Sequence, residues 1–242
     1  MSKIQATFII PCLNEATVLP VFLPECKQVF AADLETDWQL VVVDNGSKDN
    51  SVQICKDLGV QVLQCPIKGY GATLNHGIIN STTKWVVYAD ADATYDPRDA
   101  IKLMHFAEQN AADLVLGSRM RGVIDPGGIS IWSRLGTPVI SLLIRILYWI
   151  PLTDCNSGIR CVRKSIYESL KIESTGMEFA SELALKAAIH NIKFFELPAN
   201  LRACPIPERQ PHLRVVRDGL RHLKTILFFY PEFLKTRYAK FL

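Results

Sequence analysis

Lys84-Trp85-Val86-Val87-Tyr88-Ala89-Asp90-Ala91-Asp92 decides the reading of this chain. The apolar residues follow one another without polar alternation, as in a strand covered on both faces. The run ends directly in two carboxylates one residue apart. Working outward, further short β-rich runs occupy 6–10, 39–43, 60–64 and 113–117. Helix-spaced apolar residues fill 16–30, 50–57, 71–79 and 97–108 between them. Strand and helix in alternation mean a mainly parallel sheet sandwiched by helices, an α/β fold. Polar turns follow four of the candidate strands: Asn14-Glu15, Asp44-Asn45-Gly46-Ser47, Asp90-Ala91-Asp92 and Gly117-Ser118-Arg119. In such sheets ligands bind beyond the carboxyl ends of the strands, so this edge is the expected active face.

Beyond Arg121 the pattern changes. A Gly/Pro loop over 122–128 leads into an apolar stretch, 135–152, interrupted by Pro138, Arg145 and Pro151. No run supplies the roughly 18 uncharged apolar residues of a spanning helix, and this stretch is expected to be buried or to lie in an interface. Asp154-Cys155-Asn156-Ser157-Gly158 follows, then a helix around 178–190, a strand at 193–197 and a basic end. Residues 201–242 carry nine Lys/Arg against three acids, a charge of +6 that leaves −3 for the first 200. That imbalance points to an anionic partner, and the bulky apolar and cationic mixture of 222–242 suits a headgroup layer, with core packing or a partner helix as rivals. No linker or internal repeat appears, and the expected division is a catalytic domain over 1–212 and a basic amphipathic membrane-proximal segment over 213–242.

At 49% hydrophobic and 21% charged, the 242-residue chain is neither disordered nor collagen-like. Seven cysteines form no C-x-x-C pair and no zinc-spaced cluster, and several sit in apolar runs, so reduced buried thiols are expected. The first apolar stretch is too short for a signal-peptide core, and together these features point to a reducing, cytoplasmic location.

The chemistry resides in the turns. Asp90 and Asp92 at i and i+2 can jointly hold Mg²⁺ or Mn²⁺ with substrate phosphates completing the shell. The plain alternative is a solvated turn, or Asp92 capping the next helix. Asp44 can accept hydrogen bonds from a base or ribose, and Pro11-Cys12-Leu13-Asn14-Glu15 occupies the matching place after the first strand. Lys68-Gly69-Tyr70-Gly71 suits close approach of a phosphate or sugar. It fails as a dinucleotide fingerprint because Leu74 stands where the third glycine belongs. Arg119, Arg121 and Arg134, with Arg209, His212 and Arg214 later, supply forked cations for phosphate. The histidines show no metal spacing, and no nucleic-acid partner is indicated.

Taken in order, these pieces resemble the family 2 glycosyltransferases, in particular the polyprenyl-phosphate (dolichyl-phosphate) hexose synthases. The resemblance continues through Asp154–Arg160, through Gly176-Met177-Glu178-Phe179-Ala180 and through Arg217-Asp218-Gly219-Leu220-Arg221-His222. It implies a GT-A fold and a nucleotide-sugar donor. Pro11, Asn14, Glu15 and Asp44 match base- and ribose-holding positions, and Lys68, Gly69, Asp90, Ala91 and Asp92 complete the implied donor site. Asp90 and Asp92 match the metal–diphosphate motif. Arg119, Arg134 and Ser157 match the region receiving an acceptor phosphate, with Arg209 added from the basic end. Asp92, Arg119 and Arg134 are the implied catalytic residues. Asn45 departs from the second aspartate often found after Asp44.

The expected reaction moves a hexose, from UDP-glucose by preference or GDP-mannose, to a polyprenyl phosphate at the cytoplasmic face of a membrane. A lipid phosphate is already anionic, so no strong general base is required, and one in-line displacement inverts the anomeric centre. The rival readings are transfer to a soluble or glycan acceptor, and a nucleotide-binding module without catalysis.

Overall fold

The computed structural model describes residues 3–206 and 215–238. Seven strands form one sheet in the order β3-β2-β1-β4-β6-β5-β7. They are β1 (Ile4–Cys12), β2 (Thr36–Asp44), β3 (Gln61–Gln64), β4 (Trp85–Tyr88), β5 (Leu114–Ser118), β6 (Arg160–Arg163) and β7 (Phe194–Pro198). All neighbours pair in parallel except β6, which runs antiparallel to both β4 and β5. The helices are α1 (Leu19–Ala31), α2 (Ser51–Asp57), α3 (Tyr70–Asn80), α4 (Pro97–Gln109), α5 (Ile131–Tyr148), α6 (Lys164–Leu170), α7 (Phe179–Ile189) and α8 (Val215–Tyr238).

Alternate residues of the central strands feed two cores. Phe8, Ile10, Val42, Trp85 and Val87 pack against α1, α2 and α4 on one face. Ile9, Val41, Val43, Val86 and Tyr88 pack against α3, α5, α6, α7 and α8 on the other. Burial on both faces explains the unbroken apolar runs. Helix α4 starts on Asp96, whose side chain accepts the Arg98 N–H, followed by Pro97 in its preferred first position. Asp92 is therefore not the cap.

Chain order places the site. The strands proceed outward from β1 to β2 and β3, then return to the other side of β1 as β4. The crevice at that reversal, beyond the carboxyl ends of β1 and β4, is where open α/β sheets bind ligands. Strand β6 adds a second contribution. Because it is antiparallel, its first residue, Arg160, pairs with Tyr88 and with Leu116 at the ends of β4 and β5. The loop just before it, 154–158, is thereby delivered to the same edge. Neither β6 nor α6 stands out in the sequence, since β6 offers only Cys161 and Val162 between two arginines.

The apolar stretch expected to be buried or interfacial becomes α5, shifted to Ile131–Tyr148. It is not core: only Thr137, Ser141, Ile144 and Tyr148 of the helix are buried. By length and mean hydropathy, 18 residues at 1.2, it also meets the minimum for a spanning helix, which the sequence reading denied to every run. Helix α8 packs against α5 and α7, burying Ile226 and Phe233 completely.

Candidate active site

Hydrogen bonds tie the polar turns into one continuous edge. Asn14, in the left-handed region at φ 57°, accepts the Lys48 N–H at 2.7 Å, while its own N–H donates to Ser47 Oγ at 2.9 Å. The turns after β1 and β2 are thus one unit. Asp44 is buried and accepts the N–H groups of Gly46 at 2.9 Å and Ser47 at 3.2 Å. Glu15 is buried as well, and its N–H donates to Ser51 Oγ. Pro11 is half-buried within β1, opposite Val43.

Asn45 links these turns to the glycine segment. Its amide donates to the Ile67 carbonyl at 2.7 Å and its oxygen accepts the Gly69 N–H at 2.8 Å. A carboxylate can accept but cannot donate, so an aspartate there would face the Ile67 carbonyl without a proton to offer it. Lys68 folds back over Gly46 and donates to the Asn45 carbonyl. Gly69 has φ 131°, and a Cβ on it would overlap the Thr175 carbonyl. The glycines of Lys68-Gly69-Tyr70-Gly71 are thus required by close approach of the protein's own 174–176 backbone, which also accepts the Ala72 N–H.

Asp90 and Asp92 sit at the crevice itself. Tyr70 donates its phenol proton to Asp90 Oδ1 at 2.7 Å. Gly158 lies against the same carboxylate, where a Cβ would overlap Oδ2. Asp92 Oδ1 accepts the hydroxyl of Thr94 at 2.6 Å, and Ala91 between them is buried. The pair fits a hard divalent cation: two carboxylates, with no group of three or more His, Cys, Asp or Glu among the described residues. That donor set leaves coordination places for substrate phosphates and water, as Mg²⁺ and Mn²⁺ use, and does not resemble a closed zinc centre.

On the β5 side Arg119 is nearly buried and forks onto Asp154, Nε to Oδ2 at 2.7 Å and a terminal nitrogen to Oδ1 at 2.8 Å. Its backbone N–H meets the same carboxylate. Ser157 is buried and donates to the Gly117 carbonyl. Arg134 lies elsewhere, exposed near the start of α5 and without an ion pair among the described residues. Arg209, His212 and Arg214 lie outside the described residues.

Several contributors received no role from the sequence. Tyr95 is buried beneath the site and accepts the Gly158 N–H at 2.8 Å, which aligns Gly158 beside Asp90. Arg160 is fully buried and donates to the carbonyls of Cys155, Ser157 and Ala180, clamping the 154–158 loop to α7. Arg202 pairs with Glu25 and donates to the Tyr95 carbonyl. Glu196 accepts the N–H groups of Thr153 and Asp154, and burial raises its carboxyl above the usual range. Tyr70 was visible between two glycines, but nothing local says where a phenol points.

Residues 7–170 match the family model described as glycosyl transferase family 2. The chain belongs to that family. It is a glycosyltransferase with the GT-A fold. Among curated relatives it is 30% identical over 230 residues to the low-salt glycan biosynthesis hexosyltransferase Agl6 of Haloferax volcanii, covering 93% of this chain and 54% of that protein. The chain thus spans about half the length of that relative. It is 31% identical over 200 residues to an uncharacterized glycosyltransferase of Mycobacterium tuberculosis, covering 81% of this chain and 85% of the relative. Among solved structures, glucosyl-3-phosphoglycerate synthase from Mycobacterium tuberculosis, in complex with Mn²⁺, UDP and glucosyl-3-phosphoglycerate, superposes with a TM-score of 0.73 at 17% identity. That match covers 93% of this chain and 79% of the synthase, and shows the shared fold.

Proposed function

We propose that this glycosyltransferase moves a hexose from a nucleotide sugar, UDP-glucose in preference to GDP-mannose, to a polyprenyl phosphate at a membrane surface. The observation that carries the reading is the carboxylate pair at the β1–β4 crevice, Asp90 held by Tyr70 with Gly158 against it and Asp92 held by Thr94. Asp90 and Asp92 would hold Mg²⁺ or Mn²⁺, which supplies charge neutralisation for the departing nucleotide diphosphate. The Haloferax relative is a hexosyltransferase, which supports a hexose, and a neighbouring synthase crystallised with Mn²⁺ and UDP-glucose supports donor and metal.

The chain's own residues divide the work. The linked turns at Asn14, Glu15, Asp44 and Lys68 receive the nucleotide. The 154–158 loop, fixed by Arg119 on one side and Arg160 on the other, sets the distance between donor and acceptor. An acceptor phosphate attacks in line with an oxygen that is already anionic, so positioning replaces proton abstraction. One such displacement converts an α-linked donor into a β-linked sugar phosphate.

The test is a panel of UDP- and GDP-sugars with Mn²⁺ or Mg²⁺, with and without a short, water-soluble polyprenyl phosphate. Lipid-dependent release of UDP or GDP is the expected result, abolished in Asp92→Ala with the fold intact by circular dichroism. Near-normal metal-dependent transfer by that variant overturns the site. The neighbouring synthase's phosphoglyceric acid complexes favour one second reading, a soluble phosphorylated acceptor. Release with phosphoglycerate and none with lipid would establish it.

A further inference from the structure

Glu182, in the first turn of α7, is buried and pairs with Lys186 one turn later at 2.8 Å. A buried ion pair is a poor source of stability, because desolvating both charges offsets their attraction. This carboxylate has a second task. Its Oε1 accepts the Glu173 N–H at 3.0 Å and its Oε2 accepts the Ser174 N–H at 2.7 Å. Hydrogen bonds to an ionised acceptor are the strong ones, and here two consecutive backbone donors converge on one side chain. Lys186 donates to the Lys171 carbonyl and lies over the Phe229 ring of α8. Both ends of the pair thus grip the connection between α6 and α7.

That connection backs the glycine segment of the crevice. The Thr175 carbonyl accepts the Ala72 N–H at 3.1 Å and lies where a Cβ on Gly69 would stand. A Cβ on Gly71 would come within 2.5 Å of the Ser174 carbonyl and 2.8 Å of the Gly176 carbonyl. Backbone meets backbone here, with no side chain between them to absorb a shift by changing rotamer. Tyr70 stands between those two glycines and donates to Asp90 Oδ1. A displacement of Ser174 is therefore transmitted to Gly69–Ala72, and through the Tyr70 phenol to the Asp90 carboxylate. The opposite wall is fixed to the same turn of α7. Arg160, which holds the Cys155 and Ser157 carbonyls, also donates to the Ala180 carbonyl at 2.8 Å. Ala180 and Glu182 thus tie both sides of the crevice to one helix.

We propose that Glu182 is a positioning residue for the metal and donor site: its carboxylate fixes the 173–176 backbone, which sets the glycine segment and the plane of Asp90. The proposal rests on the reading of Asp90 and Asp92 as the metal pair, and goes beyond it by assigning a role to a residue outside the crevice. Lys186 supplies the counter-charge and ties α7 to α8, and does not touch the 173–174 donors. Glutamine keeps the shape of Glu182 but has one acceptor oxygen and an amide that donates. Glu182→Gln therefore turns a donor toward a backbone N–H and releases one end of the grip.

The experiment is calorimetric titration of the full chain with Mn²⁺ in the presence of UDP or GDP, whichever the unaltered protein binds, alongside thermal melting. Glu182→Gln should weaken Mn²⁺ binding by about tenfold, the scale on which outer contacts act on a metal site. Lys186→Met should melt lower and yet bind Mn²⁺ within about twofold of the unaltered protein, since the carboxylate keeps its two N–H partners. Glu182→Gln combined with Tyr70→Phe should lose less than the two single losses together, because both act on the same carboxylate. If the lone Lys186 ammonium unfolds Glu182→Gln, the variant Glu182→Gln, Lys186→Met leaves no unpaired buried charge and should show the same tenfold loss. Unchanged Mn²⁺ affinity in a folded Glu182→Gln variant, alone or with Lys186→Met, overturns the proposal. Equal losses in Glu182→Gln and Lys186→Met, in step with their melting temperatures, also overturn it and leave a purely structural ion pair. Undiminished Mn²⁺ binding by Asp90→Ala, or none by the unaltered chain, overturns the metal-pair reading and the proposal with it. The two failures are distinct, because only the first leaves Asp90→Ala unable to bind.

Discussion

Tyr70 meets Asp90 Oδ1 with the only proton that the phenol has. Burial, and next the negative charge of Asp90, push its ionisation well above the ordinary tyrosine value, so it stays a donor at every working pH. A phenol that donates to one oxygen fixes the carboxylate plane and leaves lone pairs for other partners. Such outer contacts typically change metal affinity or activity by about 10- to 100-fold when removed. Tyr70→Phe should therefore raise the Mn²⁺ concentration for half-maximal activity by about tenfold, with a matching loss in metal affinity by calorimetry. Unaltered metal binding in the variant would reduce Tyr70 to packing. At this scale the sequence was partly legible. Asp90 and Asp92 announce themselves by spacing at a strand end. Tyr70, Tyr95 and Arg160 do not, because their partners are 20, 63 and up to 20 residues away in the chain.

The elements were readable where one pattern serves one environment. Strands β1, β2, β4 and β5 are apolar because both faces are covered, and α4 has its cap and proline in sequence. Strand β6 was hidden because its two arginines find their partners only in the tertiary fold, Arg160 at three carbonyls and Arg163 at Asp113 and the Ala112 carbonyl. Helix α5 was legible only as buried or interfacial: it buries Thr137, Ser141, Ile144 and Tyr148 and leaves most of its other apolar residues exposed. Helix α8 docks on α7 through His222, which is buried against the Ser181 hydroxyl at 2.7 Å. Burial, aided by Arg160 and opposed by Glu178 and Asp218, lowers the His222 imidazole from 6.5 to about 4. The unfolded chain then takes up that proton first as pH falls. His222 accordingly costs the folded state stability between pH 6.5 and about 4, by up to roughly 3 kcal/mol. Urea unfolding at pH 7 and pH 5 should show a smaller pH-dependent loss for His222→Gln than for the unaltered protein. Identical slopes would assign the loss to other groups.

Across the whole molecule, all seven cysteines are free thiols, six of them buried and Cys204 partly exposed. Burial pushes the Cys12 thiol up to about 12 and the Cys55 thiol to about 11, which suppresses their reactive thiolates. Native protein should consume one equivalent of a thiol reagent quickly, at Cys204, and the remaining six only on unfolding. Rapid labelling of a second thiol would expose an opening of the core. What the sequence determined by itself was local: which runs are strands covered on both faces, where each strand ends in polar residues, and that two carboxylates share one such end. Hydrophobic periodicity and turn chemistry depend on neighbours within a few residues, so they can be read along the chain. Which turns meet was decided only by the tertiary structure. The reversal of strand order between β1 and β4 and the antiparallel insertion of β6 carry the 154–158 loop to Asp90, and packing against α8 and that loop turns the apolar side of α5 outward. Those outcomes depend on contacts between distant segments, which no local pattern encodes.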